Sequence, residues 1–290
     1  MDSVFYSVYD TLNSFVNING KLIPTENAAL PHDNRAFRYG FGLFETMLAG
    51  NGQISLADYH WERLFAGLAQ LHITLPKRWS PAFLTDEVLK TVQKNKLETR
   101  ARVRLQVWDG NGGLFENTSP ARFIIECFPL DTAMTELNEN GLVTGIATDI
   151  RKSPDSLSGL KSCNAMIYAA AARQARENKW NDALILNTQG HVIESTIANI
   201  FWIKDGQIFT PPLTDGCVAG VMRRYLLHFL PSIQLPVTTR ILTCDELAGA
   251  DEILLTNAIR KLKWVSCLGD KTYNRSHIGF ISSQLKDFLP

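Results

Sequence analysis

The apolar positions of this chain change their period along its length, and each change marks an element. FVNINGKLIP (15–24) alternates apolar and polar residues around Asn19-Gly20, a pair suited to the positive φ angles of a two-residue turn, and predicts a hairpin. SLADYHWERLFAGLAQLHITLP follows with Leu64, Leu68 and Leu71 at helical spacing and Pro76 ending the segment; a second helix is expected over roughly 80–95. RARVRLQVW (100–108) returns to period two, with Val103, Leu105 and Val107 on one side and Arg102, Arg104 and Gln106 on the other. ARFIIECF reads as its partner strand, and the GNGG between them as a turn or mobile loop.

After Cys127 the segment FPLDTAMTELNENG loses both periods and gathers polar residues. The chain is therefore expected to divide into an N-terminal extension (1–14), an α+β domain (15–127), a linker (128–140) and a second α+β domain (141–290). The second half reads as a strand (LVTGIAT), a helix after Lys161, then DALILN, a TQG turn, HVIES, NIFWIKDGQIFTP and the helix GVMRRYLLHFL. Strands and helices mix without regular βαβ alternation, which predicts α+β rather than a doubly wound sheet.

Lys161 stands just before AMIYAAAARQARE, the strongest helix-forming segment of the chain. An ammonium is unfavourable near a helix N-terminus, where the macrodipole prefers anions. Such a lysine is either solvated or held in a site that lowers its pKa and uses the amine. The local sequence leaves both open.

Composition narrows the function classes. The 290 residues are 45% hydrophobic and 20% charged, as in ordinary globular proteins, and 29 basic residues balance 29 acidic ones. That balance leaves no electrostatic footprint for nucleic acid or an anionic membrane surface. Five cysteines, scattered and without a CxxC pair, disfavour structural zinc and a disulfide framework, so no metal is expected. The first residues carry no basic, apolar leader pattern and no run approaches the length of a membrane span, so a reducing cytoplasm is the expected location.

Several chemistries drop out. Gly40-Phe41-Gly42-Leu43-Phe44-Glu45 has glutamate where a dinucleotide fingerprint needs its third glycine, and GxxxxGK[ST], HExxH and GxSxG are absent. Arg63 in HWERL, Lys161, Glu194 in HVIES and GCVAGVMR (216–223) remain. Pyridoxal phosphate needs an amine, a cation and amides for its phosphate, and an acid at its ring nitrogen. Lys161, Arg63, the backbone N–H groups of Val221 and Met222, and Glu194 can supply these in turn. Each also has an ordinary explanation: a surface helix arginine, a strand-end charge, a plain helix start.

The arrangement as a whole resembles the class IV pyridoxal-phosphate enzymes, which comprise branched-chain aminotransferases, D-amino-acid aminotransferases and 4-amino-4-deoxychorismate lyases. NRAFRYGFGLFETM, HWERL, SGLKSCN, DALILNTQGHVIESTIANIFW and IFTPPLTDGCVAGVMR occur in family order between about Phe15 and Val265. The resemblance implies Lys161 as the Schiff-base lysine, Glu194 as partner of the pyridine nitrogen and Arg63 as a phosphate ligand. It also implies a two-domain α+β fold, of the D-amino-acid aminotransferase kind, with the cofactor between the domains. The expected assembly is a homodimer whose sites receive residues from both subunits.

Departures from the family pattern point to one branch. Where branched-chain aminotransferases resemble GTAAEITPV, with a threonine near phosphate or substrate carboxylate, this chain has TNAIRKLKWV, placing Asn257 and Ala258 there; Asn257 becomes a further cofactor-site candidate. GITR of the aminotransferases is GVMR, so Met222 offers only its backbone. Both changes are similar to the lyases, which convert a small-molecule amine, 4-amino-4-deoxychorismate, to pyruvate and 4-aminobenzoate in folate synthesis. Gly113-Leu114-Phe115-Glu116 replaces the Arg-x-His loop of D-amino-acid aminotransferases. A class IV aminotransferase is the alternative, and a non-catalytic subunit with the same fold a third.

Overall fold

The computed structural model describes residues 14–116 and 120–286. The chain divides into two compact units, one of residues 1–131 with Ser162–Asn164, the other of Thr132–Lys161 with 165–290. The extension expected over 1–14 lies, except for Ser14, outside the described residues.

The first unit is built on an antiparallel sheet. Its strands are β1 (Phe15–Ile18), β2 (Lys21–Pro24), β3 (Gly42–Gly50), β4 (Gln53–Ile54), β5 (Ala101–Trp108) and β6 (Arg122–Pro129), in the order β2-β1-β6-β5-β3-β4. The Asn19-Gly20 hairpin forms with both residues at positive φ, 55° and 89°, as its two-residue turn requires. Val103, Leu105 and Val107 of β5 are buried, while Arg102, Arg104 and Gln106 lie half-buried on the opposite face. Helix α1 (Arg35–Tyr39) is capped by the Asn34 side chain. Helix α2 (Ala57–Gln70) buries His60, Trp61, Leu64 and Leu68, and ends one residue before the expected Leu71. Helix α3 (Pro81–Lys94) opens on the Ser80 cap with proline at its first position.

The second unit is a closed barrel with an added edge. Its elements are β7 (Leu142–Lys152), α4 (Met166–Glu177), β8 (Asp182–Asn187), β9 (Val192–Ser195), β10 (Asn199–Lys204), β11 (Gln207–Thr210), α5 (Val221–Ser232), β12 (Val237–Thr239), α6 (Cys244–Gly249), β13 (Glu252–Asn257), β14 (Lys261–Leu268), β15 (Lys271–Thr272) and α7 (Ser276–Lys286). β10, β13, β14, β7, β8 and β9 follow one another, and the β9–β10 pairing closes the ring. β7 and β8 are parallel and joined through α4, so one βαβ unit exists where the sequence showed no such alternation. β8 is buried throughout, and its central Ala183–Leu186 run is apolar because both faces are covered: Leu184 and Leu186 join one cluster with Trp202 and Leu255, while Ala183 and Ile185 pack with Ala171 and Ala175 of α4.

Helix α4 buries only the Ala171 and Ala175 stripe; Met166 at its start is exposed. Of the segment expected as a linker, 128–131 belong to the first unit and 132–140 to the second. Asn138 accepts from Trp264 N–H (3.0 Å) and donates to Trp264 O (3.1 Å), and the Lys263 ammonium bonds Glu136 O. Ser162 and Cys163 instead join β3, with Cys163 N–H donating to Gly42 O (2.8 Å). Among the described residues no helix is long and apolar enough to cross a membrane.

Candidate active site

Glu194 sits on β9, buried to 3% exposure, in a strand with apolar neighbours Val192 and Ile193. An isolated carboxylate there would be costly, and three donors hold it. Its Oε1 accepts from Lys152 Nζ (2.7 Å) and Tyr168 OH (2.8 Å), and its Oε2 accepts from Val218 N–H (2.9 Å). Lys152 Nζ also donates to the Tyr168 oxygen at 2.6 Å, closing a triangle. A carboxylate offers about four acceptor positions, so one remains, on Oε2. Burial first, then the charge and hydrogen bond of Glu194, push the Tyr168 hydroxyl far above its ordinary range, so it stays a donor. Burial and then Glu194 likewise push the Cys217 thiol up to about 12, leaving it no nucleophile.

The turn after Glu194 is fixed from beneath. Asp182 accepts from Ser195 Oγ (2.8 Å), Thr196 Oγ1 (2.5 Å) and Thr196 N–H (3.1 Å). Burial raises the Asp182 pKa despite these bonds. Asn199 of β10 pairs with both Glu194 and Thr256 and donates to Val218 O (2.9 Å), so three segments converge on Glu194.

Helix α5 opens beside this group. Gly220 is its N-cap and supplies no side-chain acceptor, leaving the amides of Val221 and Met222 without one from the cap. Only glycine fits there: a Cβ would lie 1.8 Å from Asn199 Oδ1. Ala219 N–H donates to Gly159 O (2.9 Å), tying the Lys161 segment to the loop that carries Val218 and Gly220. Lys161 is half-buried, five residues before the first turn of α4 rather than within it. Asn257 closes the β13–β14 turn: its Oδ1 accepts from Ile259 N–H (3.0 Å) and Arg260 N–H (2.7 Å), and its Nδ2 donates to Ile197 O (3.1 Å).

Lys161, Glu194, Val221, Met222 and Asn257 thus share the second unit, and Arg63 belongs to the first. There it is no surface arginine. Its Nε and Nη2 grip Glu45 at 2.8 and 2.5 Å, and His60 Nδ1 approaches the same carboxylate at 2.6 Å. Burial pushes Glu45 up, but Arg63 and His60 outweigh it and hold its pKa at about 2. Sequence reasoning missed Lys152, Tyr168, Val218 and Asp182. Lys152 closes a strand pattern and Tyr168 lies one turn inside a helix, with no shared spacing to join them.

Residues 42–266 match the family described as Amino-transferase class IV, and the chain belongs to it. It is 31% identical to the aminodeoxychorismate lyase of Vibrio harveyi over 233 residues, 79% of this chain and 84% of that protein. The crystal structure of 4-amino-4-deoxychorismate lyase from Pseudomonas aeruginosa is 26% identical, with a TM-score of 0.79 over 94% of this chain and 97% of that one. The branched-chain aminotransferase of the archaeon Thermoproteus uzoniensis shares the fold at 21% identity, with a TM-score of 0.84 over 94% of this chain and 93% of that one. The fold is that of the fold type IV pyridoxal-phosphate enzymes, mixed α+β with two sheets, one a small barrel. The protein is therefore a pyridoxal-phosphate-dependent class IV lyase or aminotransferase, not a non-catalytic subunit. Its residues fit that cofactor: Glu194 keeps one acceptor for a ring N–H, and α5 offers amides for a phosphate.

Proposed function

We propose that this enzyme is a 4-amino-4-deoxychorismate lyase, releasing pyruvate and 4-aminobenzoate. The observation that carries the reading is Asn257, whose amide is committed to its own turn and which brings no hydroxyl where the aminotransferase pattern has threonine. The identity to the Vibrio harveyi lyase supports it.

Bound pyridoxal phosphate supplies an electron sink and an aldehyde carbon for covalent attachment of an amine. Lys161 would hold that carbon through its amine and, after exchange with the substrate amine, would serve as the base. Its Nζ takes the proton from the amine-bearing ring carbon. Breaking the neighbouring C–O bond then expels enolpyruvate and leaves the ring aromatic. Lys161 returns the proton to the enol, which becomes pyruvate. Glu194 would pair with a protonated ring nitrogen through its open Oε2 position, and the backbone amides of Val221 and Met222 would receive the phosphate; the same reading gives Arg63 of the first unit a phosphate-binding role. No second amino-acid substrate is consumed.

A homodimer belongs to the same reading, supported by exposed Phe37, Leu114 and Phe115 on the first unit and tested by sedimentation. For the reaction, the holoenzyme is given 4-amino-4-deoxychorismate and, separately, L- and D-amino acids with 2-oxoglutarate. Pyruvate from the first is expected; glutamate from the second without pyruvate from the first would place the enzyme among the aminotransferases.

A further inference from the structure

Lys152 has no part in the chemistry above, yet of the three donors to Glu194 it makes the shortest bond. It reaches that position by a local distortion of its strand. The β7–β8 ladder pairs Ala147 with Ile185 and resumes at Arg151 with Leu186, so Thr148, Asp149 and Ile150 bulge out of register. The bulge is closed from within: Arg151 Nη1 donates to the carbonyls of Thr148 (2.5 Å), Ile150 (3.0 Å) and Ala147 (3.4 Å). Lys152 then rejoins the ladder opposite Asn187 with its side chain 10% exposed and its ammonium on Glu194. Burying an ammonium requires a matched anion and leaves no lone pair for nucleophilic attack, so Lys152 is no rival of Lys161.

We propose that Lys152 is a positioning residue: with Tyr168 it fills both acceptor positions of Glu194 Oε1, keeps the buried carboxylate ionised, and leaves Oε2 as the single edge that receives a ring N–H. Because the ammonium already neutralises Glu194, the carboxylate attracts a second cation less than a lone carboxylate would. Lys152 and a protonated ring nitrogen share one counterion and repel each other. The geometry of the triangle stands on its own; the identity of the ring rests on the cofactor reading above. The charged and titratable groups around Glu194 are Lys152 on β7, Tyr168 on α4, Cys217 before α5 and, beside Cys217, Arg223 on α5.

The first arm of the test uses apoprotein and needs no cofactor. Urea unfolding of wild type, Lys152→Met, Lys152→Arg, Glu194→Gln and the Lys152→Met/Glu194→Gln double variant is followed from about pH 5.5 to 8, a window in which Tyr168 and Cys217, both pushed upward, do not titrate. In Lys152→Met the buried Glu194 carboxylate faces no cation, whereas the unfolded chain leaves it in water, so the deficit of Lys152→Met against wild type grows as pH rises. Lys152→Arg restores stability, and the double variant loses the pH dependence and is more stable than Lys152→Met. A deficit that does not change with pH, and is equal in the single and double variants, would make Lys152 a packing residue and overturn the proposal. If Lys152→Met alone does not fold, the double variant is expected to; failure of both overturns it equally.

The second arm compares, by equilibrium dialysis, binding of pyridoxal phosphate and of its deaza analogue with C–H in place of the ring nitrogen. Removing the competing ammonium raises the preference for the nitrogen ring by about tenfold in Lys152→Met. An unchanged ratio overturns the ring-facing half. A wild type that binds neither compound would instead sink the cofactor reading, and the apoprotein arm would still decide the pair.

Discussion

Two buried carboxylates, Glu45 in the first unit and Glu194 in the second, solve one problem in different ways. Glu45 takes its donors from a single helix: His60 and Arg63 lie three residues apart on α2 and both reach it. Glu194 takes Lys152 from β7, Tyr168 from α4 and an amide from the loop before α5. One helix turn can place two donors on a carboxylate by periodicity alone, which suits a fixed anchor. Donors from three segments converge only after the barrel closes, and a backbone amide on Oε2 still leaves room for one more. The first cluster is closed on itself, and the second is the one proposed to receive a ring N–H.

The largest effect that would sharpen this contrast lies next to the second cluster. Lys161→Ala should cut turnover by about a thousandfold or more, because covalent hold and proton carrier vanish together, while some cofactor still binds. Pyruvate release and the cofactor absorption band read both; undiminished turnover would remove Lys161 from its role. Glu194→Gln should come next, slowing single-turnover proton removal about a hundredfold with cofactor still bound. Cofactor lost with the rate intact would instead make Glu194 a binding residue.

Glu45→Gln should behave oppositely, costing stability rather than rate. Its pKa falls from 4.5 to about 2 on folding, so the contribution is complete above about pH 4.5 and is lost as pH drops towards 2. That shift corresponds to roughly 3 kcal/mol at neutral pH, read as a difference in urea midpoints between wild type and variant that shrinks in acid. A difference that persists at pH 2 would break the comparison.

Arg63→Ala should weaken pyridoxal phosphate binding by about 2 kcal/mol and also destabilise the chain, since Glu45 loses its bidentate partner. Unchanged affinity, and unchanged competition by free phosphate, would confine Arg63 to the Glu45 anchor. The smallest effect is expected for Asn257→Ala, about 1 kcal/mol in stability from the lost turn bonds. A large fall in cofactor affinity there would give Asn257 a direct part in binding.

Local periodicity and turn chemistry made much of the fold legible. The Asn19-Gly20 hairpin, the alternation of β5 and the leucine spacing of α2 each depend on neighbours within a few residues, and each occurs in the structure. The strand LVTGIAT, the helix after Lys161 and the DALILN run were legible in order, but not the parallel pairing of β7 with β8, because a strand buried on both faces carries no alternation that marks its partner. Nor was the segment 132–140, whose polar residues look like a linker but hydrogen-bond to β14 more than a hundred residues later.

The candidate chemistry divides along the same line. Residue types and family order, visible in the chain itself, single out Lys161, Glu194, Arg63 and the glycine before Val221. What surrounds them was decided only by tertiary structure. Lys152 lies 42 residues from Glu194 and Tyr168 lies 26, and a three-residue bulge in β7 sets which way Lys152 faces. Hydrogen-bond partners separated by so much chain leave no periodic trace, because their approach is fixed by barrel closure and not by backbone spacing.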